Sequence, residues 1–344
     1  MRGGVDRRRA GGVGALVLAA AFGGWLASMT PMPVPWFTGG LLAAALWSAW
    51  RREVRAESAL RDAGFLLIGY AVGRSFVREF ADGADPRVVV AGVAVAALTW
   101  AVVRAVLGRA ALGWSGATRG FAAVPGSMSV VLAVAADAGR CEPERVALVH
   151  LLRLGLLCLV LPLLALGVEV PEVAVAAGLS LGEVGLMVAL LSVSLLVARL
   201  ARRVGVPAPA LLSAVAVVAG AEMALHDLPA PPGGIRAVSA VLIAAYLGPT
   251  FRRAAEVLEW RDGTPAVLAA LAALVTGAVG AGLLWAVVGG SWRTLVLGMA
   301  PGGLEVAVLT AASSDAETGT VVLLQLLRYG VALGILVCIG RKTA

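Results

Sequence analysis

Asparagine is absent from this 344-residue chain, glutamine occurs once, and histidine twice. Charged residues make up only 14% and aromatic residues 6%. Each scarcity excludes a class of function. Two histidines, His150 and His226, cannot assemble a multi-histidine copper or iron centre, and no cofactor is implied. Three cysteines, Cys141, Cys158 and Cys338, lack CxxC spacing, which argues against a metal site or a disulfide framework. The sequence has no HExxH, GxSxG, Walker or GxGxxG motif, so the reading is of a protein that is not an enzyme. The net charge of +7 is nearly all arginine, held in short gaps between apolar runs. No continuous basic face is left for a nucleic-acid partner.

What is present is apolar: 60% of residues are hydrophobic and mean hydropathy is +0.92. Runs of roughly 20 apolar residues recur, the length a helix needs to cross a bilayer. They lie at about 11–29, 34–50, 62–79, 87–107, 119–138 and 145–167, then at 184–200, 207–223, 236–251, 264–288, 294–312 and 319–340. The second six repeat the first. Val124-Pro125-Gly126-Ser127-Met128 returns as Ala300-Pro301-Gly302-Gly303-Leu304, and Arg145 to Arg153 returns as Thr320 to Arg328. Pro33-Val-Pro35 returns as Pro207-Ala-Pro209, and Leu67-Ile68 with Gly73 and Phe76 returns as Leu242-Ile243 with Gly248 and Phe251. All offsets are 174 to 176. The expected halves are 1–168 and 169–344.

Basic residues prefer the cytoplasmic side of short loops, so their placement reports orientation. Arg2 and Arg7 to Arg9 place the N-terminus inside. Gap 51–61 carries Arg51, Arg52, Arg55 and Arg61, whereas its counterpart 224–235 carries none. Gap 30–33 has no basic residue, against Arg199, Arg202 and Arg203 in 199–206. Arg140 and Arg145 face Asp315 and Glu317 at equivalent places, and the C-terminus ends in Arg341-Lys342. Charge that alternates between equivalent loops implies copies of opposite orientation. The expectation is an all-α polytopic bundle of two inverted repeats, about five transmembrane helices each, with both termini in the cytoplasm of a bacterial inner (plasma) membrane. Each repeat then holds one broken or re-entrant Pro-Gly segment, at 119–138 and 294–312. Proline removes an amide donor, glycine admits turn dihedrals, and such a break survives in hydrocarbon only when buried in protein or lining water.

The candidate solute- or ion-binding residues gather around those breaks: Pro125, Gly126, Ser127, His150 and Arg153 in the first half, and Pro301, Gly302, Gly303, Glu305, Gln325 and Arg328 in the second. Arg153 and Arg328 lie about eight residues, roughly 12 Å, into their helices, where a charge normally faces a cavity or a partner. His150 and Gln325 precede them by three and share their helix face. Two arginines beside half-helix N-termini suit an anion. A structural ion pair is the alternative, with Arg328 neutralised by Glu305 and Arg153 by Asp137 or its own loop. Glu305 is the best-placed acid for proton coupling, and its counterpart is Ser129.

Pro33-x-Pro35-Trp36-x-x-Gly39-Gly40, the Pro-Gly breaks and Gln325-x-x-Arg328 resemble the AbrB-type duplicated membrane proteins over nearly the whole chain. These are often labelled ammonia monooxygenase or regulator of gene expression. The first half departs from the pattern at Ser127, Ser129 and His150. The resemblance implies either transport or regulation of gene expression through protein contacts, and the missing ligands rule against the oxygenase label. Sequence therefore points to a secondary transporter of a small anionic solute, proton-coupled, with the lipid bilayer as its surroundings. A membrane regulator is the alternative, and pairing as a homodimer is left open.

Overall fold

The computed structural model describes the backbone of residues 2–31, 34–51, 58–79, 84–126, 128–137, 141–165, 180–204, 206, 208–226, 228–232, 234–257 and 260–343. Among these residues there is no strand. The first half gives α1 (Arg2–Ser28), α2 (Pro35–Trp50), α3 (Ser58–Glu79), α4 (Pro86–Ala110), α5 (Gly116–Ala122), α6 (Met128–Asp137) and α7 (Pro143–Val160), followed by a 3-10 turn at Leu161–Ala165. The second half gives α8 (Leu181–Arg203), α9 (Pro209–Leu225), α10 (Ile235–Val257), α11 (Trp260–Val288), α12 (Trp292–Met299), α13 (Leu304–Ala312) and α14 (Thr318–Thr343). The seven helices of one half match the seven of the other in order, and in each half the fifth apolar segment is cut into two short helices.

The correspondence reaches single dihedral angles. α2 and α9 each begin on a proline, preceded by a non-glycine residue in the left-handed region: Val34 at φ 47° and Ala208 at φ 43°. Among the described residues, five helices are long and apolar enough to cross a membrane: α4, α7 with its 3-10 turn, α8, α11 from Asp262, and α14 to Ile339. Gly12–Ser28, Pro209–Leu225 and Ile235–Thr250 are shorter apolar helices. The described residues thus form an all-helical fold whose apolar helices suit a membrane protein.

By compactness the chain forms two units, a different division from the sequence halves. The first comprises residues 1–82, 162–252 and 312–319. It holds the first three helices of each half. Here small residues bring backbones together, as membrane helices require in the absence of a hydrophobic drive between them. A Cβ on Gly40 would lie 3.3 Å from Ala244 Cβ, and one on Gly69 would lie 2.6 Å from Ala214 Cβ. A Cβ on Gly248 would lie 2.5 Å from Ala44 Cβ, and one on Gly73 would lie 2.8 Å from Val218 Cβ. With the repeat offsets of 174 and 175, position 40 equals 214, 69 equals 244, 44 equals 218 and 73 equals 248. Each contact is therefore made twice with the copies exchanged, the signature of a two-fold relation.

Equivalent positions also meet each other. Ser239 Oγ donates to Gly64 O at 2.8 Å across a separation of 175 residues. A Cβ on Gly64 would meet Ile243 Cγ1 at 2.7 Å, and the Arg61 guanidinium lies 5.3 Å from the Tyr246 ring centroid. Contacts that climb α3 from 61 to 64 descend α10 from 246 to 239. The two equivalent helices cross in opposite directions.

The second unit comprises residues 83–161, 253–311 and 320–344, and contains both broken segments. One of its core clusters packs Val103, Leu107, Phe121 and Val124 with Val146, Val149, Ala269 and Ala273.

Candidate functional site

Both broken segments start alike. Ser115 accepts from Thr118 N at 3.0 Å to cap α5, and Ser291 accepts from Thr294 N at 3.3 Å to cap α12. A cap hydroxyl satisfies one of the amides that a helix start leaves open. After about two turns each helix meets Pro-Gly and stops. Pro125 and Gly126, like Pro301 and Gly302, are buried, so the carbonyls at these ends cannot be hydrated from the surface. Gly302 at φ 119° and Gly303 at φ 68° carry the second break through dihedrals that side chains disfavour. Ser127 lies outside the described residues, as do the side chains of Glu305, Asp137 and Ser129, so neither expected carboxylate partner of the arginines is defined.

The two arginines answer the open carbonyls. Arg153, on α7 and 3% exposed, donates from Nη1 to Val124 O at 3.1 Å and from Nη2 to Gly126 O at 3.5 Å. Arg328, on α14 and 4% exposed, donates from Nη1 to Ala300 O and from Nε to Pro125 O at 2.9 Å. Positions 124 and 300 are equivalents, so each guanidinium bonds the break of its own half. Each also reaches the other half's break. Arg328 does so through Pro125 O, and Arg153 Nε lies 3.1 Å from where a Gly302 Cβ would sit. The exchange continues in the packing: a Cβ on Gly126 would meet Ala332 Cβ at 2.8 Å, and one on Gly302 would meet Leu157 Cδ1 at 3.6 Å, with 157 equivalent to 332.

Eight of the expected residues, Pro125, Gly126, Arg153, Pro301, Gly302, Gly303, Gln325 and Arg328, therefore belong to one cluster around the breaks, all of them buried except the half-buried Gly303. Gln325 donates from Nε2 to Leu297 O at 2.9 Å and to Ala300 O at 3.2 Å, so it too closes the end of α12. His150 is buried, and its Nδ1 lies 2.9 Å from Val146 O one turn back on its own helix. His150 Nε2 and Gln325 Oε1, at equivalent positions, are buried without a hydrogen-bond partner among the described residues.

Sequence reasoning placed the arginines beside half-helix N-termini. Their described bonds go instead to carbonyls that end α5 and α12, the negative ends of those helix dipoles. What it missed was the capping pairs Ser115–Thr118 and Ser291–Thr294, legible as Ser-x-x-Thr just ahead of each segment. It also missed the carbonyls of Val124 and Ala300, which carry no side-chain signal. Chemically, the cluster concentrates two permanent cations in an apolar interior. Each half-helix end supplies only about half an opposing charge. It also leaves one lone-pair-bearing group from each half open to a donor, given that Nδ1 of His150 donates to Val146.

The family described as transition state regulatory protein AbrB matches residues 3–108 and 51–340, and the chain belongs to that family. A search of curated proteins finds no match.

Proposed function

We propose that this protein is a secondary transporter of a small anionic solute, coupled to protons, built as two inverted repeats in the bacterial inner membrane with both termini cytoplasmic. The observation that carries this reading is the pair of buried guanidinium groups at two equivalent helix breaks of an apolar bundle. A cation at that depth costs at least about 2.5–3.5 kcal/mol, which is why intramembrane charges mark substrate and ion pathways. Discontinuous helices at equivalent places in two halves are the usual frame of a transporter site. The opposed course of α3 and α10 supports inversion. Pro125, Gly126, Ser127, Pro301, Gly302 and Gly303 shape the site, Arg153 and Arg328 supply its positive field, and His150 and Gln325 offer acceptors to donor groups. Glu305 and His150 are the titratable groups available to carry the coupled proton. The solute is moved and not chemically altered, and neither cofactor nor nucleic acid takes part.

The family's description favours a second reading, a membrane regulator of gene expression acting through protein contacts. The two separate by sensitivity: a transporter fails when the breaks are altered, a regulator when the basic loops 51–61 and 104–119 are altered.

Flux into proteoliposomes, with a panel of organic anions and with or without a pH gradient, tests the proposal. Uptake of at least one anion, accelerated by an acidic exterior and abolished in Arg328→Ala while membrane insertion persists, is the expected result. Absence of flux for every anion, or uptake unchanged in Arg328→Ala, contradicts it.

A further inference from the structure

Away from the breaks, the second unit carries a crevice of about 520 Å³ between α4, the start of α5 and α14. That volume lies within the roughly 300–1,000 Å³ of ligand pockets. Its floor and walls are apolar: Trp100 on α4, and Val331, Ile335 and Ile339 on α14. Gly116 and Gly334 leave it open, since a Cβ on either would meet no atom within 4 Å.

One charge borders it. Arg104 projects over the Trp100 ring at 5.7 Å, and its Nη1 reaches Gly116 O at 3.5 Å, the long end of hydrogen-bond range. Arg109 and Arg119 flank it in the same turn region and donate to the backbone carbonyls of Ala105 and Gly108. None of the three arginines forms an ion pair with a carboxylate among the described residues. Leu112, between Arg109 and Arg119 in the sequence, is 81% exposed, an apolar side chain at the surface. Arg104 sits six residues before the end of α4, about 9 Å of helix rise from it, a depth from which a long basic side chain reaches the headgroup layer. Trp100, one turn deeper, anchors its Nε1 on Gly120 O at 3.3 Å.

We infer that this crevice binds an anionic phospholipid, with an acyl chain against Val331, Ile335 and Ile339 and the phosphate at Arg104. An apolar slot in a membrane helix bundle takes hydrocarbon, and the arginine at its rim, with two more in the same turn region, selects a headgroup of net negative charge. The inference stands apart from the transport reading, because it uses no residue of the breaks.

Cys338, exposed and lining the crevice, is a built-in reporter. The full chain is placed in nanodiscs of phosphatidylcholine alone, or with phosphatidylglycerol added. Alkylation of Cys338 by an uncharged maleimide is followed by mass spectrometry. Phosphatidylglycerol is expected to slow labelling about five-fold, the discrimination that one basic residue near anionic lipid provides. Arg104→Gln should remove that difference. Gly334→Leu, whose Cβ meets no protein atom within 4 Å, puts a side chain into the slot and should slow labelling in both lipids alike. Equal labelling of the wild type in both lipids overturns the inference. Protection that persists in Arg104→Gln overturns it as well, since it would report bulk surface charge only.

Discussion

At the scale of single residues, Arg153 and Arg328 hold the broken segments closed. Both were legible in the sequence, because an arginine eight residues into an apolar helix has no cheap explanation. Their partners were not legible: a carbonyl becomes an available acceptor only where the chain stops being helical, and sequence places that point only to within a few residues. Arg328 spans two breaks, bonding Ala300 O and Pro125 O. A lysine keeps the charge but cannot hold both acceptors in its fork-like geometry. Arg328→Lys should lower stability by about 1–3 kcal/mol, the cost of one orphaned buried acceptor. A fall in the melting temperature of the detergent-solubilised protein checks this, and an unchanged melt contradicts it. Gly302 is the second sensitive residue. At φ 119° an alanine is strained, and its Cβ would meet Arg153 Nε at 3.1 Å. Gly302→Ala should cost about 1–3 kcal/mol. Gly234→Ala is the control: that glycine has no positive φ and open space where a Cβ would sit, so its melt should barely move.

At the scale of helices, the apolar runs located most elements, and the Pro-Gly pairs located both breaks. The starts of α5 and α12 were placed late, at 119 and 294, because their caps at Ser115 and Ser291 precede the apolar stretch that was being followed. The paired left-handed residues before α2 and α9 were also hidden. Neither Val34 nor Ala208 belongs to the residue types that ordinarily adopt that region, and only the bend into Pro35 or Pro209 demands it. A left-handed conformation costs a residue with a side chain about 1–2 kcal/mol. Ala208→Gly should therefore stabilise the protein by about 1 kcal/mol, seen as a higher melting temperature. Val34→Gly should bring no such gain, because it removes an isopropyl group that is only 6% exposed and whose burial is worth about 1.5 kcal/mol or more. A stabilised Val34→Gly with an unchanged Ala208→Gly would show that dihedral strain is not what these positions share.

At the scale of the whole molecule, the repeat was plain in the sequence and its consequence for packing was not. Landmark offsets of 174 to 176 define two halves, yet compactness groups the first three helices of both halves together, and the last four together. Nothing in a linear pattern tells a helix that its closest neighbour is its own counterpart, as α3 meets α10 through Gly64 and Ser239. The alternation of arginine between equivalent loops is the sequence feature on which the proposed orientation rests, since such a pattern answers to membrane insertion rather than packing. The transport proposal depends on that orientation, because only opposed copies bring both breaks to a common depth from opposite sides. Arg51 and His226 occupy equivalent positions 175 residues apart, at the ends of α2 and α9, and both are exposed. Single-cysteine variants Arg51→Cys and His226→Cys, in a background with the three native cysteines replaced, can be labelled with a membrane-impermeant thiol reagent in intact cells and in inside-out vesicles. Labelling of position 51 from the cytoplasmic face only and of position 226 from the opposite face only is the predicted result; labelling of both from the same face would contradict the inverted arrangement.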